Sequence, residues 1–251
     1  FISALKAEDT EAWVPLAIEA RSAMFYNPMN GKSGKARLRR QNGRTEVFLQ
    51  LASGESIILK TFVGADVNVP DWKYLTPTTA TDVAFKDWYF FFLDSAPRIT
   101  HKFNLNALGS WTDLNFPEAK IAMGTGCYRA YFDIDPKKWK EANGWLLDLG
   151  DVRESARVKI NGNEVATLWA VPFRCMIDSG SLRPGENIIE IEVTNLPANR
   201  IAEMDRQQIP WRKFKEINLV DRNYQKTGYG HWTPVESGLL GPISLKALSD
   251  N

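Results

Sequence analysis

Hydrophobic and polar positions alternate along most of this chain with a period near two, which predicts strands joined by turns rather than helices. The stretch 144–174, GWLLDLGDVRESARVKINGNEVATLWAVPFR, carries the pattern most clearly. Trp145, Leu147 and Leu149 share one strand face, while Val158 and Ile160 alternate with Arg157 and Lys159 on the next strand. Asn161-Gly162 supplies two residues that tolerate positive φ, as a tight hairpin requires. Ile189, Ile191 and Val193 alternate with Glu190, Glu192 and Thr194, and Tyr128, Ala130, Phe132 and Ile134 line one face of a further strand. WYFFFL at 88–93 is aromatic at every position but the last, which predicts a strand buried on both faces. A single helical turn is predicted, where Asp135 caps Pro136, Lys137, Lys138 and Trp139.

These patterns divide the chain. Residues 1–63 hold five short strands, at 13–17, 22–26, 36–38, 45–51 and 56–62, with turns at Asn42-Gly43 and Ser53-Gly54. They predict a small sandwich, or half of one whose remainder lies upstream. Residues 64–81 lose the alternation and read as a connector. Residues 82–251 predict an all-β antiparallel sandwich of jelly-roll type, interrupted by a long insertion at 195–237 and closed by a strand at 241–248.

Composition narrows the functions. The 31 basic and 30 acidic residues leave a net charge of +1, without the dense cationic stripe of a nucleic-acid surface. The locally basic KARLRR at 35–40 alternates with Ala36 and Leu38, as the solvent face of a strand would. No apolar run reaches transmembrane length, so membrane insertion is not expected. The chain opens on FISAL without Met or a signal peptide and reads as part of a longer protein. Cys127 and Cys175 are too few for a disulfide framework or a metal cluster; they read as buried thiols, with a single bridge as the alternative.

Candidate chemistry lies in aromatic and polar loop residues. Flat aromatic faces stack on sugar C–H patches, and Asn, Arg and acidic side chains hold hydroxyls. The loop after the hairpin offers Trp169, Phe173 and Arg174, and the insertion offers Asn199, Arg200, Trp211, Arg212, Tyr224, Tyr229, His231 and Trp232. Loops at one end of a jelly roll converge, so both groups can share a surface. The competing reading packs Trp169 and Phe173 into the sandwich end and uses Trp211 and Trp232 to anchor the insertion or dock it on a neighbouring domain. Arg200 reads either as a carboxylate clamp or as one half of an ion pair. Asn195 reads as a turn residue. Glycoside hydrolysis needs two carboxyl groups roughly 5–10 Å apart. The insertion holds Glu203, Asp205, Glu216, Asp221 and Glu236, but their spacing marks no pair, and 203–206 reads as a solvated polar loop. His101 and His231 have no partner at metal-ligand or triad spacing, which argues against zinc and Ser-His-Asp chemistry. Gly124-Thr125-Gly126 reads as a turn leading into a strand rather than a nucleotide loop.

The ordered blocks LDLGDV, VKINGNEVATLWAVPF, LRPGENIIEIEVTN, NR and SGLLGPISL resemble the galactose-binding-like β-sandwich of large bacterial glycoside hydrolases, most of all the C-terminal region of the α-L-rhamnosidase type. SWT at 110–112 and GTGCYRAYF at 124–132 extend the likeness. EAWVPLA, FYNPMNGKSGKARLR and EVFLQLASGESIILKTF resemble the β-rich module that precedes that sandwich. The resemblance implies a hydrolytic barrel upstream of this chain, carrying the catalytic carboxylates. It implies for these residues a non-catalytic accessory role, bracing that domain and contacting carbohydrate, a pectic or rhamnose-containing glycan. No catalytic residue is carried over. A free-standing carbohydrate-binding module and a purely structural interaction domain are the alternatives. The resemblance also implies a periplasmic or cell-surface location, no cofactor, and room for a structural calcium ion held by oxygens.

Overall fold

The computed structural model describes residues 1–5, 8–77, 83–212 and 228–250. The chain divides into two compact units, Phe1–Thr78 with Leu248–Asn251, and Thr79–Ala247. Both are built from antiparallel strands, so the all-β sandwich class expected from the alternation is the class observed.

The first unit contains β1 (Ile2–Ser3), β2 (Thr10–Pro15), β3 (Ser22–Tyr26), β4 (Ser33–Lys35), β5 (Leu38–Gln41), β6 (Arg44–Leu51), β7 (Ser56–Phe62) and β8 (Leu75–Pro77). The first seven form two sheets, ordered β1-β7-β3-β4 and β2-β6-β5, while β8 pairs with residues 248–250. The alternation of β6 turns Thr45, Val47, Leu49 and Leu51 inward, against Ala23, Phe25 and Ile57. Asn42 and Gly43 both take positive φ, 52° and 76°, and close the β5–β6 hairpin. The segment read as a connector does more than connect. The Tyr74 side chain is buried in this core, its hydroxyl donating to Phe48 O (3.1 Å) and accepting from Arg37 N–H (3.0 Å). Backbone bonds from Lys35 N to Pro70 O and from Trp72 N to Lys35 O lash the same stretch to β4. A Cβ on Gly34 would stand 2.8 Å from the Trp72 backbone, so only glycine admits this approach. The connector expectation is corrected accordingly: partners 26 to 38 positions away, invisible to a local pattern, make 70–77 part of the unit.

The second unit contains β9 (Phe85–Ala96), β10 (Lys102–Asn104), α1 (Pro117–Lys120), β11 (Met123–Ile134), α2 (Pro136–Glu141), β12 (Gly144–Asp148), β13 (Asp151–Arg153), β14 (Ser155–Ile160), β15 (Asn163–Leu168), β16 (Arg174–Ile177), β17 (Gly185–Thr194), α3 (Ala198–Arg206), β18 (Gly238–Gly241) and β19 (Ser244–Asp250), the last running on into the first unit. Six strands form one sheet, β10-β9-β11-β17-β14-β15; β16, β12 and β19 lie side by side in a second, and β13 pairs with β18. From β11 onward the chain crosses repeatedly between the two main sheets, to β12, back to β14 and β15, to β16, back to β17 and finally to β19, as in a jelly roll.

The predicted inward rows are the observed ones. Tyr128, Ala130, Phe132 and Ile134 on β11, Ile189, Ile191 and Val193 on β17, Val158 and Ile160 on β14, and Trp145, Leu147 and Leu149 are all buried in one core. Each such large side chain contributes about 1.5–3 kcal/mol by leaving water. Asn161 (φ 51°) and Gly162 (φ 83°) close the β14–β15 hairpin.

Three expectations need correction. WYFFFL is not buried on both faces: Phe90 and Phe92 enter the core, while Tyr89 and Phe91 are half-buried and Leu93 is exposed on the outer face of the six-stranded sheet. An aromatic run hides its alternation because both faces read as apolar. The insertion is not purely a loop, since α3 occupies nine of its residues and buries Asn199 and Ala202. The predicted helical turn at 135–139 does form, as α2, with Asp135 accepting from Lys137 and Lys138 N–H, but it is not the sole helix. Cys127 is buried and Cys175 half-buried; both are free thiols, on strands of different sheets. Burial, with Glu190 and Glu192 adding to it, pushes the Cys127 thiol up to about 12. No helix among the described residues is long and apolar enough to cross a membrane.

Candidate functional site

Strand register decides which loops share an end of the second unit. Leu168 pairs with Ala156, Ala156 with Val193, and Val193 with Gly126, which pairs with Phe92. The end of β15, the end of β17, the start of β11 and the end of β9 therefore lie in one row. The Trp169 loop and the insertion leave the sheet at the same end, separated by β14, roughly 10 Å at about 4.8 Å per strand.

Within the insertion, the last turn of α3 is the hub. The Asp205 carboxylate accepts from Trp211 Nε1–H (2.6 Å) and Tyr229 N–H (2.6 Å), and pairs with Arg212 at 3.4 Å. Arg206 donates to Gly230 O and Trp232 O, each at 2.9 Å, and also binds Glu203. These bonds gather the aromatic residues into a row. Trp211 and Tyr229 lie 6.0 Å apart, Tyr229 and Trp232 4.5 Å, and the Arg212 guanidinium lies over the rings of Trp211 and Tyr229. Trp232 and His231 are exposed, and Trp211 and Tyr229 half-buried.

The root of the insertion is pinned by asparagines. Asn195 accepts from Gly124 N–H and donates to Ala122 O and Ser237 Oγ, at 3.0 to 3.1 Å. Ser237 N–H in turn donates to Ser110 Oγ (2.9 Å). Asn199 forms a two-bond clamp on the backbone of Val235, 2.8 Å in each direction.

The predicted residues thus fall into distinct groups. Trp169 is 63% exposed and has no ring partner among the described residues. Phe173 belongs to the hydrophobic core, where packing and not solvent contact is its task. The Arg174 guanidinium is tied to Asp148 at 2.6 Å, because β12 and β16 place the two residues opposite each other. Asn199 is buried and spends its amide on Val235. Arg200 is half-buried and makes no ion pair among the described residues. Tyr224, with Glu216 and Asp221, lies outside the described residues. Sequence reasoning missed the organising pair, Asp205 and Arg206. Their partners lie 6 to 26 positions away, and only the α3 helix aims them; Pro197 followed by a Gly-free stretch with Ala, Glu and Met was the available signal.

The carboxylates here are engaged. Glu203 holds Arg206 and Gln207, Asp151 holds Arg153 at 2.6 Å, and Glu236 lies 3.3 Å from Arg153. Among the described residues no three His, Cys, Asp or Glu side chains gather to hold a metal ion.

The fold and this loop end define an all-β, two-module chain whose larger sandwich presents aromatic and charged side chains at one rim. No protein-family model matches the chain. It is 32% identical over 164 residues to a protein of Formosa agariphila provisionally named a beta-glucuronidase, a match over 59% of this chain and 14% of that one. The structure of a rhamnosidase from Novosphingobium sp. PP1Y superposes with a TM-score of 0.68 at 23% identity, over 96% of this chain and 22% of the other. The fold of nearly the whole chain is therefore that of about a fifth of the rhamnosidase chain. Both proteins bear the names of glycoside hydrolases, and the chain is similar to a part of each.

Proposed function

We propose that this chain is a non-catalytic accessory part of a glycoside hydrolase of the α-L-rhamnosidase type, bracing a catalytic domain elsewhere in the parent protein and contacting glycan through the loop end. The observation that carries the reading is the fold likeness across both modules, 96% of this chain against 22% of a rhamnosidase. The engagement of Glu203, Asp205 and Glu236 by cations and amides supports the absence of a hydrolytic pair among them. The bracing role is supported by apolar side chains left exposed around the loop end: Trp169, Val171, Leu196, Trp232 and Val235. Trp169 and Trp232, with Tyr229 and His231 beside the latter in sequence and Arg200 on α3, are the groups through which this rim would meet a sugar. The same reading puts the parent enzyme in the periplasm or at the cell surface, where polymeric glycans are met.

Incubation of the chain with aryl rhamnosides and aryl glucuronides tests the first half. No turnover is expected; turnover abolished by one carboxylate substitution would overturn the accessory role. For the second half, Trp169→Ala and Trp232→Ala should weaken retention on immobilised rhamnose-containing glycan while leaving the melting temperature in place.

A further inference from the structure

The outer face of the six-stranded sheet carries a second arrangement, built on β9 and β10 and sharing no residue with the insertion's aromatic row. Because β9 alternates, Tyr89 and Phe91 stand side by side on this face, ring centroids 6.0 Å apart and planes within 19°. They form a half-buried aromatic strip of near-parallel rings, which exposed Leu93 prolongs toward the end of the strand. Cations flank both rings. Arg129, itself held by Glu190, lies 5.5 Å from the Tyr89 ring, and Lys102 lies 5.7 Å from Phe91. At its end the strip opens into a depression of about 430 Å³, within the usual range of ligand sites, lined by Phe91, Leu93, Asp94, Arg98 and Lys102 among others.

The charges of this depression differ from those of the rest of the face. Arg129 is paired with Glu190, and Lys159 with Glu192. Neither Arg98 nor Lys102 has a carboxylate within ion-pair distance among the described residues, and both are exposed. Two cations without a carboxylate partner among the described residues, one carboxylate and the Phe91 ring thus line one concavity, with the near-parallel Tyr89 ring beside it on the strand. A guanidinium receives a carboxylate through two parallel hydrogen bonds, and an aromatic plane receives the C–H face of a pyranose. Asp94 adds an acceptor for hydroxyl groups.

We propose that this depression and its aromatic strip form a subsite for an acidic oligosaccharide, its carboxylate on Arg98 and Lys102 and its neighbouring sugar ring on Phe91 and Tyr89. The proposal rests on the glycan-contacting reading for its ligand class, yet none of its residues belongs to the loop-end set. β9 and β17 are separated by β11, so the two surfaces diverge from strands roughly 10 Å apart.

Calorimetry of the 251-residue chain tests it, with a galacturonic acid tetramer, the methyl-esterified tetramer and a sulfated neutral tetramer as probes. The acid should bind at least about tenfold more tightly than its ester, a difference of about 1.4 kcal/mol. Arg98→Gln combined with Lys102→Gln, both exposed and without a carboxylate partner among the described residues, should remove that preference, and Phe91→Ala should weaken acid and ester alike. Trp232→Ala should change neither. Equal affinity for acid and ester, or an acid affinity unmoved by the double variant, overturns the subsite. So does preference for the sulfated tetramer that survives Phe91→Ala, which would mark simple ion attraction, and so does the lack of binding to all three. None of these outcomes touches the turnover test of the accessory role, so the two readings fail separately.

Discussion

Asp205→Ala should unfasten the insertion while leaving the sandwich folded. The carboxylate, 16% exposed, holds Trp211 Nε1–H and Tyr229 N–H at 2.6 Å each and faces Arg212, 12% exposed. Hydrogen bonds to an ionised acceptor contribute about 1.5–3 kcal/mol each, so losing two removes about 3–6 kcal/mol. That loss is local, because neither Asp205 nor any other residue of α3 belongs to the hydrophobic core of the unit. Amide hydrogen exchange of residues 198–212 and 228–237 measures it directly. Protection there should fall by about two to four powers of ten, at 1.4 kcal/mol per power, or to free exchange if that comes first. Amides of β11 and β17 should exchange as before. Asp205→Asn keeps an acceptor oxygen without the charge and should fall between. Unchanged exchange at 228–237 in the alanine variant would refute the hub assignment. Simultaneous loss of protection in β11 and β17 would refute its locality.

Asn195→Leu deletes three bonds at the root of the insertion and strands their backbone partners, which should cost about 2–4 kcal/mol in urea unfolding. Gly238→Ala would place a methyl 2.1 Å from Tyr128 Oη at a φ of +107°, so a loss of about 2–4 kcal/mol is expected from denaturant midpoints. The Cys127 thiol, raised by burial to about 12, should resist iodoacetamide at pH 8 while half-buried Cys175 reacts. Its folded value lies above the unfolded value of about 8.5. The native state therefore keeps the proton longer, and the thiol's contribution is full below about pH 8.5 and lost as pH rises toward about 12. Cys127→Ala should flatten that alkaline limb of the stability profile.

Strand and turn chemistry was legible wherever one face is buried and the turn is short. The β14–β15 hairpin announces itself through Asn161-Gly162, and β11 and β17 through strict alternation, because both signals are local. The candidate site was less legible because its bonds are not. Phe173 and Trp169 are four residues apart and chemically alike, yet one is core and the other solvent-facing, a difference set by how the chain turns into β16. Arg174 would have been recognised as an ion-pair partner only by placing β12 beside β16. Helix α3 was hidden by polar residues, Asn199 and Asp205 among them, whose partners lie on the far side of the insertion. Tyr74 was lost in a connector for the same reason. Conversely, WYFFFL was over-read, since a half-exposed aromatic strip and a buried strand share one hydrophobic signature.

The pairing of β8 with the last residues of β19 has a consequence for biosynthesis. Thr76 and Ser249, bonded in the first unit, are 173 positions apart. At about 5–20 residues per second, a ribosome needs roughly 9–35 seconds to make the intervening chain. Throughout that interval the first unit emerges with Leu75–Pro77 unpaired, and the whole larger sandwich is translated before its partner arrives. The strand that pairs with β8 is thus supplied only after the whole larger sandwich has been made, and a chaperone guarding this protein would have an open edge to cover in the meantime.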